Sequence, residues 1–306
     1  ELSRALLSNW VDACCRLMAP LDEALYHYVM NCRKLHTDDT PVPVLAPGRK
    51  KTKTGRIWTY VRDDRNAGSS DPPAAWFAYS PDRQGKHPEL HLRSFRGVLQ
   101  ADAFAGYDRL FSTSREGGVL TEAACWAHAR RKIHDVYISS QSATAEEALK
   151  RIGELYAIEA EIRGMPETER LAARQSRSAP LLASLHEWMV EKSATLSKKS
   201  RLGEAFTYAL NQWDALCYYC RDGLAEPDNN AAERALRAVC LGKKNYIFFG
   251  SDQGGERGAL LYGLIGTCRL NGIDPEAYLR HILSVLPEWP SNRVGELLPW
   301  NVAIPA

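Results

Sequence analysis

The 306-residue chain is long enough to bury a substantial core, in one large domain or two ordinary ones. Its composition is that of a globular protein, and its net charge of only +2 excludes a polycation, so any affinity for nucleic acid must come from local basic patches. No apolar run approaches the roughly 18 residues of a membrane span, and no secretory leader is visible. We expect no membrane association, and because the chain opens at Glu1 without a methionine, we expect a fragment or a processed form.

The eight cysteines are placed as thiols rather than as a disulfide framework. Cys14 and Cys15 are adjacent, and four others sit singly in apolar or helical stretches: Cys32, Cys125, Cys240 and Cys268. Only Cys217 and Cys220 form a C-x-x-C pair, and no second pair or nearby histidine pair completes a zinc site. We therefore expect a reducing, cytoplasmic protein in which this pair lies one helical turn apart.

The first third of the chain predicts helices followed by a β-meander. Residues 1–34 carry apolar positions at helical spacing interrupted by Pro20, which predicts a helical hairpin leading into the main domain. From residue 35 the pattern changes to short apolar runs. Three successive strands are predicted in HTDDTPVPVL, RIWTYVRDD and AAWFAYSPD.

The next segment predicts strands that run parallel. A short helix is expected in HPELHLRSF, a buried strand ending at a turn in GVLQADAFAGYDRLF, and a further short strand near EAACWAH before the helix HARRKIHDVY. A strand, helix, strand order implies a crossover and parallel pairing. We therefore predict a mixed sheet that begins with the meander.

The rest of the chain is helical. Residues 143–225 show 3.6-residue periodicity without strand signals, so we predict an all-helical block, here called the helical block. The predicted organisation is a helical lead-in, a first part of the main domain, the helical block, the remainder of the main domain and a C-terminal helical segment with its tail: 1–34, 35–142, 143–225, 226–272 and 273–306.

Acidic residues lie at two predicted strands. Asp38 and Asp39 occupy the first strand, and because successive side chains point to opposite faces, only one of them can face a given site. The flanking pattern leaves open which one. Asp102 follows the apolar run Val98–Leu99, and a carboxylate at the end of a buried strand is costly unless it is paired or bound to metal.

A third carboxylate, Glu233, lies in EPDNNAAERALR, where two interpretations compete. Asn230 and Glu233 fit an N-cap with its capping-box partner, worth about 1 kcal/mol of helix stability. Glu233 also fits a helix carboxylate that joins the two strand aspartates. Its rival is Glu256 in GSDQGGERG, although stabilisation by a helix dipole is sufficient to explain an acid there. That segment lacks the Gly-Lys-Ser/Thr ending of a phosphate-binding P-loop.

A central first strand, a parallel neighbour and a later helix over the same sheet would unite Asp38, Asp102 and Glu233, here called the acidic triad. This is the ribonuclease H-like arrangement. We therefore predict an α/β, ribonuclease H-like mixed sheet with a large all-helical insertion before the last catalytic helix. Such a site suits Mg²⁺, with Mn²⁺ as an alternative, as two ions about 3.5–4 Å apart.

Several ordered strings resemble one protein family: HTDDTPVPVL, GVLQADAFAGYD, CWAHARRK, DNNAAERALR and LGKKNYIFFGSDQGGERGA. They are similar to the insertion-sequence-66 family of bacterial DDE transposases, and NGIDPEAYLRHIL with NRVGELLPWN resembles its C-terminal segment. The resemblance implies that Asp38, Asp102 and Glu233 are the catalytic metal ligands. Asp39 stands where the family usually has glutamate, so Asp39 also stays a candidate ligand.

The resemblance implies metal-dependent DNA strand cleavage and strand transfer. The implied partners are transposon-end and target DNA, further copies of the chain on that DNA, and helper proteins of the same element. It also implies a cytoplasmic, nucleoid-associated location. Nothing in the chain matches the family's N-terminal zinc-binding, DNA-recognising region. Two alternatives remain: a catalytically inactive DNA-binding remnant of a mobile element, and a stand-alone metal-dependent nuclease.

Three basic patches are candidate DNA contacts, although each also fits a solvated surface. One is the predicted hairpin turn GRKKTKTGR, one follows a predicted strand end, and one ends the Glu233 helix, where cations also favour the helix dipole. If they contact DNA, binding should weaken linearly with the logarithm of the salt concentration. Their members are Arg49, Lys50, Lys51, Lys53 and Arg56; Arg130, Arg131 and Lys132 with His128; and Lys243 and Lys244.

Overall fold

A computed structural model of the chain describes residues 2–48, 50–197 and 199–303. Five strands form one mixed sheet in the order β3-β2-β1-β4-β5. Their bounds are β1 Lys34–Val44, β2 Lys53–Arg62, β3 Ala74–Ser80, β4 Val98–Gln100 and β5 Thr121–Ala123. The first three strands pair antiparallel, whereas β4 pairs parallel with both β1 and β5. The predicted meander and the predicted parallel pairing are both confirmed.

Eleven α-helices occur in the described part of the chain. They are α1 Arg4–Met30, α2 Lys86–His91, α3 Trp126–Ser140, α4 Ala143–Glu161, α5 Glu167–Ala173, α6 Ala179–Thr195, α7 Arg201–Asn211, α8 Trp213–Cys217, α9 Asn230–Tyr246, α10 Asp252–Leu270 and α11 Pro275–Val285. None of these helices is long and apolar enough to cross a membrane. All eight cysteines of the chain are free thiols.

The predicted hairpin in residues 1–34 is wrong, because α1 runs through Pro20 as one 27-residue helix. Proline in a helix interior costs about 3 kcal/mol through a lost hydrogen bond and a clash with the preceding turn. Here the buried stripe continues on both sides of Pro20, from Met18 to Leu21 and Leu25. The apolar area that this stripe buries offsets the cost of the proline.

Helices cover both faces of the sheet. On one face α9 packs over β1 and β2, with Leu236 and Val239 against Val42 and Ile57. On the other face α1 and α11 enclose the largest core, which includes Trp58 of β2. Because side chains alternate along β1, even-numbered residues of β1 face α9 and odd-numbered residues face the α1 side.

The helical block and α3 together form a second hydrophobic core. A buried arginine ties this block to the chain that leads into α9. Arg174 pairs with Glu159 through two contacts of 2.8 and 2.7 Å, and its Nη1 donates to four backbone carbonyls between residues 219 and 225. The start of α9 is therefore held by the helical block as well as by the sheet.

Candidate metal and catalytic site

The two neighbouring aspartates of β1 have different surroundings. Asp38 lies on the α9 face, where its strand neighbour Thr40 accepts a hydrogen bond from Lys243 of α9 at 3.2 Å. Asp39 lies on the opposite face, and its side chain is only 1% exposed. Two guanidinium groups hold it, Arg56 at 3.0 Å and Arg83 at 2.8 Å. The choice that the sequence left open thus has a geometric answer: Asp38 is the aspartate on the side of the Glu233 helix.

Asp102 lies close enough to Asp38 for its charge to raise the pKa of that residue. It follows β4 by two residues, and β4 ends where Gln100 pairs with His36 of β1. The Oδ1 atom of Asp102 is buried and has no hydrogen-bond partner among the described residues. Burial makes an unpaired carboxylate oxygen costly. Asp102 therefore has an unmet need for a donor or a cation.

Glu233 lies in the first turn of α9, but the predicted capping box is wrong. The N-cap is Asn229, whose side chain does not cap this end, and Asn230 is the first helical residue, with its N–H donating to Asp228 Oδ1 at 3.0 Å. Asn229 is completely buried, and its amide group bonds β1 instead of capping the helix. Its Nδ2 donates to the carbonyl of Thr37 at 2.7 Å, and its Oδ1 lies 3.1 Å from His36 Nδ1. These bonds fix the start of α9 over β1 and leave the Glu233 carboxylate free for other partners.

The partners of Glu233 come from α3. Its Oε2 accepts a hydrogen bond from Arg131 at 3.3 Å, and its Oε1 lies 3.7 Å from His128 Nε2. Like Asp102 Oδ1, Glu233 Oε1 is buried without a hydrogen-bond partner in the described part of the chain. Asp102 and Glu233 thus each have one buried oxygen without a hydrogen-bond partner among the described residues.

Electrostatics couple the acidic triad. The pKa of Asp38 is raised to about 7, chiefly by burial, with the negative charges of Asp102, Asp39 and Glu233 contributing in the same direction. Burial also raises the pKa of Asp102, although His128 and Arg83 oppose that rise. Crowded carboxylates with raised pKa values are what a divalent cation would neutralise.

The tightest group of ligand side chains is a different one. Among the described residues, Cys125, His128 and Glu233 form the one set of three whose ligand atoms all lie within 4.8 Å of one another. We call it the Cys–His–Glu cluster. The sequence analysis placed His128 in a basic patch and Cys125 among the single thiols. The missed signal was the C-x-x-H spacing across the start of α3, which presents both side chains on one face.

Glu256, the rival third acid, lies elsewhere. It is exposed on α10, and its charge acts on Tyr79 of β3. Because β3 is the sheet edge two strands from β1, Glu256 is on the far side of β2 from Asp38. Asp108, the other acid after β4, is exposed in a 3-10 turn.

The first basic patch is smaller than predicted. Lys50 and Lys51 are exposed in the β1–β2 loop, whereas Lys53 and Arg56 belong to β2 rather than to the turn. Lys53 pairs with an α10 carboxylate at 2.5 Å, and Arg56 pairs with Asp39. Two of the predicted DNA contacts are thus engaged within the protein. Arg49 lies outside the described residues.

The other two patches lie on helices that border the triad. Arg130 and Arg131 are exposed on α3, the second of them against Glu233. Lys243 and Lys244 lie in the last turn of α9 as predicted. Lys243 bonds Thr40 and the carbonyl of Pro41, while Lys244 is exposed.

The fold and the site define an α/β protein with an acidic site between a mixed sheet and one covering helix. Comparison with known proteins gives its family. Residues 1–257 match the family described as "Transposase IS66 family", and residues 263–300 match the "IS66 C-terminal element". The chain belongs to the IS66 family of transposases.

Three relatives come from Sinorhizobium fredii (strain NBRC 101917 / NGR234) and are each called uncharacterized. The chain is 40% identical to protein y4hP, 36% to y4jD and 34% to y4qI, over 98% of its own length in each case. It covers 56%, 60% and 57% of those proteins. The chain thus spans a little over half the length of the curated relatives that it matches.

Proposed function

We propose that this chain is the catalytic part of a DDE-type transposase, in which Asp38, Asp102 and Glu233 hold two Mg²⁺ ions for DNA strand cleavage and strand transfer. The observation that carries the proposal is the state of the triad. The charges of Asp102 and Glu233 both act on Asp38, and each of these two residues has a buried oxygen without a hydrogen-bond partner among the described residues.

The donor set fits the ions. The triad offers only carboxylate oxygens, which Mg²⁺ prefers, and Mn²⁺ accepts the same ligands. When bound, such ions activate the attacking water or 3′-hydroxyl and stabilise the leaving oxygen. The chain's own residues would place the ligands: Asn229 fixes the start of α9, and the exposed side chains of Arg130 and Arg131 supply positive charge for a phosphate beside Glu233.

The fold supports the same proposal. The strand order β3-β2-β1-β4-β5 with α9 over β1 is the order expected for a ribonuclease H-like core. In that assignment the helical block, 143–225, is an insertion between α3 and the helix that carries the last acid. We propose the same segment boundaries as the sequence predicts, after residues 34, 142, 225 and 272.

The partners follow from the proposed reaction. The substrate is DNA, as element ends and target, bound through the exposed lysines and arginines of the three patches. A homo-oligomer on paired ends and helper proteins of the same element are proposed for the whole protein, of which this chain matches a little over half. A cytoplasmic, nucleoid-associated location is likewise a proposal.

The test is a strand-cleavage and strand-transfer assay. The substrate is a duplex from the DNA that flanks the coding region, once intact and once with a pre-exposed 3′-hydroxyl end, together with a supercoiled target plasmid. We expect Mg²⁺-dependent cleavage and joined products. Asp38→Asn, Asp102→Asn and Glu233→Ala should each lose at least ~100-fold in rate, because each removes transition-state stabilisation of several kcal/mol. Glu256→Gln is the matched control and should stay active.

The outcomes separate the alternatives. Full Mg²⁺-dependent cleavage by Glu233→Ala would refute the assignment of the third ligand. Cleavage without joined products would indicate a stand-alone nuclease. Salt-sensitive DNA binding without any cleavage would indicate an inactive remnant.

A further inference from the structure

The Cys–His–Glu cluster brings together side chains from two helix starts. Cys125 directly precedes α3, His128 lies in its first turn, and Glu233 lies in the first turn of α9. The separation of 3.7 Å between His128 Nε2 and Glu233 Oε1 is slightly longer than the roughly 3.3 Å between nitrogen and oxygen ligands of one tetrahedral zinc ion. All three ligand atoms lie within 4.8 Å of one another.

Two atoms of the cluster indicate that a ligand is missing. Glu233 Oε1 and His128 Nδ1 are both buried, and neither has a hydrogen-bond partner in the part of the chain that the structure describes. A buried histidine nitrogen and a buried carboxylate oxygen without partners are costly. A cation bound to Glu233 Oε1 and His128 Nε2 would remove the cost of the unpartnered carboxylate oxygen.

The third member of the cluster, the Cys125 thiol, is oriented by a hydrogen bond from the start of α9. The backbone N–H of Asn229 donates to Cys125 Sγ at 3.2 Å, so the residue that fixes α9 also orients the sulfur. Burial raises the pKa of the Cys125 thiol to about 12, so the metal-free thiol keeps its proton at neutral pH. Metal binding forms the sulfur–metal bond, breaks the S–H bond and releases one proton to solvent.

The donor set selects the class of metal. A thiolate, an imidazole and a carboxylate suit Zn²⁺ or Co²⁺, whereas Mg²⁺ requires oxygen ligands. Three protein ligands leave one position of a tetrahedral ion open. The cluster therefore differs in chemistry from the acidic triad, although the two share Glu233.

We propose that Cys125, His128 and Glu233 form a second metal site, selective for Zn²⁺-type ions, whose occupation withdraws Glu233 from Asp38 and Asp102. The site itself is independent of the proposed transposase reaction. The inhibitory consequence rests on that proposed function, because it requires Glu233 to be a ligand of the catalytic ions.

Binding is tested with Co²⁺ alone as the probe. Metal-free, reduced protein should take up one equivalent of Co²⁺ and develop a thiolate-to-cobalt charge-transfer band in the near ultraviolet, which one equivalent of Zn²⁺ should abolish. Cys125→Ser should lose the band, and His128→Ala should weaken Co²⁺ binding at least ~10-fold. Cys217→Ser is the matched control, because Cys217 is a partly buried thiol of the helical block.

Circular dichroism checks that each variant is folded. If Cys125→Ser does not fold, the loss of Co²⁺ affinity in His128→Ala tests the site instead. A band that persists in Cys125→Ser, or the absence of any band in the wild-type protein, would overturn the proposal.

The inhibitory arm measures Mg²⁺-dependent DNA cleavage while Zn²⁺ is added. The wild-type protein should lose activity at Zn²⁺ concentrations near those that displace Co²⁺, and Cys125→Ser should need at least ~10-fold more Zn²⁺. Equal sensitivity of the two proteins would overturn the inhibitory role. If the wild-type protein shows no cleavage at all, the proposed transposase function fails, while the cobalt band still decides the second site.

Discussion

Replacement of Asp38 by asparagine should stabilise the metal-free protein at neutral and alkaline pH. Asparagine keeps the shape of the side chain and its acceptor oxygen for the N–H of Asp39, which Asp38 Oδ1 accepts at 2.7 Å. It removes only the negative charge that burial and the charges of the other acids penalise. The Asp38 carboxylate, a proposed metal ligand, should therefore lower the free energy of unfolding when no cation is bound.

The size of the effect follows from the raised pKa. Below pH about 4 both folded and unfolded chains carry the Asp38 proton. Between its ordinary pKa of 3.8 and the folded value of about 7, the folded protein keeps the proton that the unfolded chain has lost. The free energy of unfolding therefore falls as pH rises through this window. At about 1.4 kcal/mol per pH unit, the full penalty above pH 7 is at most roughly 4 kcal/mol.

The assay is urea unfolding followed by tryptophan fluorescence at pH 5 and pH 8 in a chelating buffer. The advantage of Asp38→Asn over the wild-type protein should be less than half of its full size at pH 5 and approach its full size at pH 8. Mg²⁺ at about 100 times its Kd should add roughly 2.7 kcal/mol to the wild-type protein and much less to the variant.

The neighbouring aspartate provides the matched control. Asp39→Asn leaves Arg56 and Arg83 without their buried partner, so it should destabilise the protein by about 3 kcal/mol. Two adjacent, isosteric substitutions are thus expected to have opposite signs at pH 8. Loss of stability in Asp38→Asn, or a gain that does not change with pH, would refute the reasoning.

Three further predictions concern the supports of the site and DNA binding. Asn229→Ala removes the bonds that tie α9 to β1, so single-turnover cleavage should slow about 10- to 100-fold with the Kd for DNA unchanged; an unaltered rate would contradict a positioning role. Arg174→Met leaves Glu159 with only the more distant guanidinium of Arg170, at 3.7 Å, and removes the donor to four carbonyls, so urea unfolding should show a loss of about 3–5 kcal/mol, with hydrogen exchange rising first in residues 219–225; a loss under 1 kcal/mol would contradict it. Removal of Lys50 and Lys51 together should reduce the slope of log binding constant against log salt by about 2; an unchanged slope would place both lysines away from phosphates.

The sheet could be predicted from local patterns because its strands are short, apolar and separated by clear turns. Parallel pairing was predicted from a strand, helix, strand order, and β4 pairs parallel with β1 and β5 rather than with β3, the strand before that helix. The single helix α1 could not be predicted, since the cost of Pro20 is local whereas the burial of Leu21 and Leu25 depends on the tertiary core. The cost of a proline in a helix interior is visible in the sequence, whereas the packing that offsets it is visible only in the structure.

For the candidate site, the sequence offered the residue types but not their contacts. Strand alternation alone limited the first acid to Asp38 or Asp39, but the arginines that hold Asp39 come from β2 and from the loop after β3. The predicted cap at Asn230 was wrong because the helix begins one residue earlier than predicted. The N-cap residue, Asn229, uses its amide group for tertiary bonds to β1. The Cys–His–Glu cluster was missed because its third member is more than 100 residues away along the chain.

The central claim is that the acidic triad holds the catalytic metal ions, and anomalous X-ray scattering from Mn²⁺ tests it most directly. Crystals soaked with MnCl₂ at pH 8, where Asp38 is ionised, should show a peak within about 2.2 Å of carboxylate oxygens of both Asp38 and Asp102, with Glu233 turned towards it. A manganese peak that contacts neither aspartate, or none near the sheet in crystals with the fold intact, would contradict the account.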